Sequence, residues 1–372
     1  MAKAHQSISM FRTYIDAEAY ARVKTVLNSG FLSEGNLVKE FENKLSDYLG
    51  LINPVAVNSG TSALHLALVL AGIKPGDEVI CPAQTFVATA SVIVQEKAIP
   101  VFADIQYETG NIDPHSLEEN ITSKTKAIIV VHWGGYPCDM EQIYRIAKKY
   151  NIPVIEDAAH ALGATYKNRP IGSLSDFTCF SFQAIKHVTT GDGGALCVKD
   201  PRLAKMAFVR RWFGIDRGKS TPSILGERKY DITKVGYKYH LNDYSAALGL
   251  ANIKNFKKRL QNRRAIARCY RQAFKKVPGI TLFKEDANRE SAYWLFAFHV
   301  EKREKFIQKM RQAGISTSVV HLGIDHNSLF GGKRKNLIQQ RRFDKTQIHI
   351  PIHDGLSEKD VDHIINIIQK GW

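Results

Sequence analysis

The sequence predicts an α/β protein: a three-layer αβα large domain on a mainly parallel sheet, then a smaller C-terminal α+β domain. Three observations carry this. Between Pro54 and Val198 short apolar runs alternate with longer stretches of helical period, the rhythm of a sheet covered by helices on both faces. The run Ala127–Val131 is apolar throughout, as a strand buried on both faces must be. At 372 residues the chain exceeds what a single core usually fills, so a second unit is expected. The division is placed near Gly249, giving 1–249 and 250–372.

The elements follow in order. Asp16 to Leu49 reads as two helices. Tyr20, Val23, Val26 and Leu27 form one face before Ser29-Gly30, and Leu37, Phe41, Leu45 and Tyr48 form another before Gly50. Strands are expected at Pro54–Val57, Glu78–Cys81, Ile99–Ala103, Ala127–Val131, Pro153–Glu156, Phe177–Phe182 and Ala195–Val198. Helices are expected at Thr61–Leu70, Phe86–Gln95, from Pro114 with Asp113 as cap, at Met140–Tyr150 and at Arg202–Trp212. Gly214 to Tyr239 is polar and long enough for a functional loop. One long helix is expected from Asn242 or Asp243 to beyond Leu260. Then come a strand Tyr293–Val300, a helix Arg303–Ala313, a basic loop Phe330–Arg342, a strand Gln347–Pro351 and a helix Glu358–Gln369.

Composition excludes several classes. No run approaches the ~18 to 20 apolar residues of a membrane span, and MAKAHQSISM lacks a leader's apolar core, so a cytoplasmic protein is expected. Five cysteines form no CxxC pair and read as reduced, buried side chains. The net charge of +16 is spread along the chain without a nucleic-acid-binding signature. No GxGxxG opens a helix, and HExxH and GxSxG are absent, so no metal site is expected.

The chemistry centres on Lys186. It lies between the apolar run Phe177–Phe182 and the turn Thr190-Gly191-Asp192-Gly193-Gly194. Desolvation there lowers an amine's pKa and suits it to Schiff-base chemistry. Four stretches would have to converge on it. Asn58-Ser59-Gly60-Thr61-Ser62 joins a strand to a helix, and its first-turn N–H groups suit a phosphate; it reads equally as an ordinary helix cap. Asp157 ends a buried strand in the crevice where open α/β sheets bind ligands. A carboxylate there needs a partner, which a protonated ring nitrogen supplies, although a capping aspartate followed by an incidental His160 reads as well. Phe86 is placed to stack on a planar group or to join the core. Ser181 has a hydroxyl for a phosphate or for backbone.

Taken together, SGFLSEGNLVKEFE, NSGTSALHLAL, PAQTFVATA, VIEDAAHALGA, FSFQAIKHVTTGDGG, GYKYHLNDYSAALGL and IPIHDGLSEKDVDHII resemble the DegT/DnrJ/StrS family of pyridoxal-phosphate sugar aminotransferases, of aspartate-aminotransferase fold type I. The resemblance implies that Lys186 forms the Schiff base with the aldehyde of pyridoxal 5'-phosphate and later shuttles the proton. It implies that Asp157 pairs with the protonated pyridine nitrogen, that His160 bonds the ring's phenolic oxygen and that Phe86 stacks on the ring. Gly60, Thr61, Ser62 and Ser181 would hold the phosphate. A further phosphate contact comes from the neighbouring subunit, implying a homodimer with shared active sites.

Two positions depart from the family pattern. GYN reads GYK here, with Lys238 at the neighbour's contact, and SFHxxK reads with Gln183 in place of histidine. Because Lys186 stays in register, aminotransferase is preferred to the related dehydratases that use pyridoxamine phosphate. The implied donor is L-glutamate and the acceptor a nucleotide-diphosphate keto-sugar. A 4-keto-6-deoxyhexose is favoured over a 3-keto-sugar or a keto-cyclitol.

Overall fold

A computed structural model describes residues 7–372; most of the stretch read as lacking a leader lies outside them. Seven strands form the large sheet: β1 (Pro54–Val57), β2 (Glu78–Pro82), β3 (Ile99–Ala103), β4 (Thr125–Val131), β5 (Val154–Asp157), β6 (Phe177–Ser181) and β7 (Gly194–Val198). Their order is β1-β7-β6-β5-β4-β2-β3. All pairs are parallel except those made by β7, which runs antiparallel to both β6 and β1. The sheet is therefore mainly parallel, as its apolar strands require.

Helices cover both faces. On one side α1 (Glu18–Ser29), α2 (Asn36–Leu49), α6 (Met140–Tyr150) and α8 (Asp243–Ile253) accompany a core that includes Phe41, Leu45, Ile143 and Ile253. On the other, α3 (Gly60–Ala71), α4 (Ala88–Gln95) and α7 (Pro201–Arg210) bury Leu64, Leu68, Val92 and Ala207. The short α5 (Pro114–Glu119) starts at a proline, with the Asp113 carboxylate capping His115 N–H at 3.2 Å.

A third core holds the C-terminal unit. It consists of the antiparallel strands β8 (Ile280–Leu282), β9 (Phe296–Val300) and β10 (Gln347–Ile350), in that order, packed with α10 (Arg303–Gln312) and α12 (Glu358–Gln369). Ile8 joins this core and bridges to Ile315, so the segment before α1 packs on the smaller unit.

The expected long helix is two. α8 ends at Ile253, and α9 (Phe256–Phe274) starts after Lys254-Asn255. The break serves packing: α8 lies against α1 and α2, and α9 runs on from the large core at Phe256 and Leu260 to the small one at Ala267, Tyr270 and Phe274. The basic stretch 330–342 is not all loop, because α11 (Ile338–Thr346) begins inside it. The fully buried Asp325 occupies Arg341, whose Nη2 donates to both carboxylate oxygens at 2.5 Å, and accepts from the Arg334 backbone N–H at 2.7 Å; the Arg334 guanidinium donates to the Phe330 carbonyl at 2.7 Å. The expected strand from Tyr293 starts only at Phe296, because Tyr293 turns the chain with φ of 47°.

Candidate active site

At the C-terminal ends of β4, β5 and β6 the sheet opens into a cavity of about 400 Å³. Gly60, Thr61, Phe86, Asp157, His160, Ser181 and Lys186 all line it. Ser62 and Lys238 are not among its lining residues.

The N-terminus of α3 closes one end. Ser59 caps the helix by accepting from Ser62 N–H at 3.0 Å, and Ser62 Oγ donates to Asn58 Oδ1 at 2.6 Å. That hydroxyl is bonded within the cap, and Ser62, expected at the phosphate, does not line the cavity. Gly60 and Gly194 make the close approach possible. A Cβ on Gly60 would stand 3.0 Å from Ser181 Cβ, and one on Gly194 would lie 2.6 Å from the Ser59 carbonyl. The strand carrying Ser181 is thereby brought against free first-turn N–H groups, the arrangement that binds a phosphate.

Asp157 closes the other end from the tip of β5. It is buried, accepts from Thr89 Oγ1 at 2.7 Å and from Ala159 N–H at 3.2 Å. Burial pushes its carboxyl above the ordinary range, while those two bonds and the charge of Lys186 pull it back. His160 follows in the next turn. Its Nδ1 is buried without a hydrogen-bond partner, an atom that a ligand's oxygen would satisfy. Burial, then the positive charge of Lys186, hold this imidazole well below its usual pKa, so it is neutral.

Lys186 sits on the loop between Phe182 and Thr190. The loop is closed at its base by Phe182 N–H to the Gly193 carbonyl at 2.8 Å and Thr190 N–H to the Phe182 carbonyl at 2.9 Å. Burial draws its ε-amine down to about 7, against the attraction of Asp157. Phe86 presents an apolar ring that is 53% exposed at the cavity, placing it open to a ligand and not in the core. Lys238 is exposed, its Nζ 5.5 Å above the Trp212 ring.

Three lining residues were not read from the sequence: Trp294, His321 and Val320. Thr89, behind Asp157, belongs with them. Thr89 had one available signal, its position one turn after Thr85 on the helix that follows Phe86, and the two hydroxyls lie 2.7 Å apart. Trp294 and His321 come from the smaller unit, outside the stretches that carry the resemblance.

The fit to pyridoxal phosphate thus rests on this chain's own atoms: a buried carboxylate, an amine of lowered pKa, an orphaned imidazole nitrogen and a helix N-terminus. The family model of DegT/DnrJ/EryC1/StrS aminotransferases matches residues 13–369. The chain belongs to this family. The aminotransferase is 38% identical over 368 residues to the spore coat polysaccharide biosynthesis protein SpsC of Bacillus subtilis, covering 95% of this chain and 94% of that one. It superposes on the sugar aminotransferase CalS13 of Micromonospora echinospora with TM-score 0.93 and 34% identity, over 98% of this chain and 100% of that chain. It also superposes on Spr1654 of Streptococcus pneumoniae, solved in a PLP form, with TM-score 0.89 and 32% identity, over 98% of each chain. This fold-type-I aminotransferase is a pyridoxal-phosphate enzyme. Among the described residues no helix is long and apolar enough to cross a membrane, and no group of three His, Cys, Asp or Glu side chains could hold a metal ion.

Proposed function

We propose that this aminotransferase moves an amino group from L-glutamate to a nucleotide-linked keto-deoxysugar, a 4-keto-6-deoxyhexose giving a perosamine- or viosamine-type amine for surface polysaccharide. The observation that carries the reading is the convergence of Lys186, Asp157 and the α3 N-terminus on one cavity of about 400 Å³. The likeness to CalS13 and SpsC supports a sugar as acceptor.

Bound there, pyridoxal phosphate supplies the electron sink that makes the donor's α-proton removable. Lys186 Nζ, neutral near its lowered pKa, takes that proton and returns it on the other side of the transfer. Asp157 would supply the negative charge that pairs with the cofactor's protonated ring nitrogen. His160 Nδ1 would bond its ring oxygen, and Phe86 would cover a ring face. Gly60, Thr61 and Ser181 would hold the phosphate. Lys238 does not line its own cavity, and the loop before it carries the exposed apolar side chains Ile224 and Leu225. Both features support a homodimer in which Lys238 serves the neighbour's phosphate.

The test is a panel of nucleotide-linked keto-sugars offered with glutamate, following 2-oxoglutarate release and mapping the aminated carbon. Amination at C4 of a 6-deoxyhexose is expected. Turnover confined to a keto-cyclitol, or amination at C3, contradicts the reading.

A further inference from the structure

The indole of Trp294 touches both reacting-side groups. Its ring centre lies 3.7 Å from Lys186 Nζ, and the His160 imidazole stacks on it at 3.7 Å with planes 11° apart. Its Nε1–H donates to the Ile185 carbonyl at 3.0 Å, one residue before the lysine. The side chain is buried at 2% exposure, and Phe11 stacks on it at 5.4 Å.

The backbone is bent to put it there. Tyr293 holds a left-handed φ of 47°, uncommon for a bulky residue and found where surrounding structure enforces it. Gly135, at φ of 99°, leaves room for this turn: a Cβ there would lie 3.0 Å from Tyr293 N and 3.1 Å from Trp294 N. The same loop is tied to the smaller unit twice more. His187 Nε2 bonds the Ala292 carbonyl at 2.8 Å, and Arg259 Nη1 donates to the His187 carbonyl at 2.8 Å.

We propose that Trp294 is the positioning residue of Lys186, its face holding the protonated ε-amine and its N–H pinning the loop beneath. The inference rests on Lys186 as the reacting amine. A cation over an indole face is attracted by the ring quadrupole, more strongly where water is excluded. The other groups facing the amine leave this contact visible. Asp157 supplies an opposite charge from β5, while burial keeps His160, His187 and His321 neutral. The proton that Lys186 carries during transfer is thus held in one place without a second carboxylate.

The titration uses the cofactor-free enzyme and the kinetics the enzyme loaded with pyridoxal phosphate. Lys186 is reductively methylated with formaldehyde and cyanoborohydride across a pH series and quantified by peptide mass spectrometry. Wild type is expected to show a midpoint near 7. Trp294→Leu removes the face and is expected to move the midpoint down by roughly half to one pH unit. Trp294→Phe keeps a face but loses the N–H. Its midpoint stays near wild type, while kcat falls roughly tenfold at unchanged KM for the amino donor. An unchanged or raised midpoint in Trp294→Leu overturns the proposal, as does an unchanged kcat in Trp294→Phe if the leucine variant does not fold. Lys186→Ala serves as control: retention of the visible cofactor band there would remove the premise about Lys186, whatever Trp294 does.

Discussion

Thr89 Oγ1 donates to Asp157 Oδ2 across 2.7 Å, and both groups are buried. The bond opposes the cost of holding a carboxylate out of water, which otherwise drives Asp157 toward its neutral form. Thr89→Val removes it without changing the side chain's shape. Cofactor affinity is expected to fall roughly tenfold, the worth of a hydrogen bond to a charged group, measured by equilibrium titration with pyridoxal phosphate. Asp157→Asn is expected to lose at least about a hundredfold in turnover, since the partner charge itself is gone.

The lowered amine has a cost to the fold. In the unfolded chain a lysine titrates at about 10.4, and here Lys186 is drawn down to about 7. The unfolded state therefore binds this proton more tightly. The stability lost to it is absent above about pH 10.4, grows as pH falls and is complete below about 7. Lys186→Met is expected to stabilise the cofactor-free enzyme at neutral pH by on the order of 4 kcal/mol, or roughly 5 °C in Tm. The gain should shrink as pH approaches 10, which thermal unfolding at several pH values would follow.

Gly194 has no room for a side chain: a Cβ would lie 2.6 Å from the Ser59 carbonyl and 2.7 Å from Gly60 N. Both are backbone atoms at the α3 N-terminus, so the phosphate cradle must shift. Gly194→Ala is expected to cost about 1–3 kcal/mol of stability and to weaken inorganic phosphate binding to the cofactor-free enzyme. Wild-type phosphate affinity in that variant would show that Gly60 and Thr61 do not form the cradle.

The large sheet was legible because a strand buried on both faces must be apolar, as Ala127–Val131 is. The direction of β7 was not, since an antiparallel neighbour buries the same side chains as a parallel one. The break at Lys254-Asn255 was hidden because apolar positions continue across it: Leu250, Ile253, Phe256 and Leu260 all join the large core. Within the site, Gly60, Asp157 and Lys186 were readable because each stands at a strand end beside a turn. Ser62 satisfied the same pattern, yet its hydroxyl is held by Asn58. Trp294 lies in an aromatic run, Tyr293 to Phe298, that reads as core; only the turn at Tyr293 diverts it to the lysine.

The account stands or falls on Lys186 as the amine that holds the cofactor. Purified enzyme loaded with pyridoxal phosphate should be reduced with borohydride, digested and mapped by mass spectrometry. The cofactor's mass is expected on the peptide containing Lys186, and formation of the linkage should accelerate as pH rises through about 7. Modification at another lysine, with Lys186 left unlabelled, would contradict it.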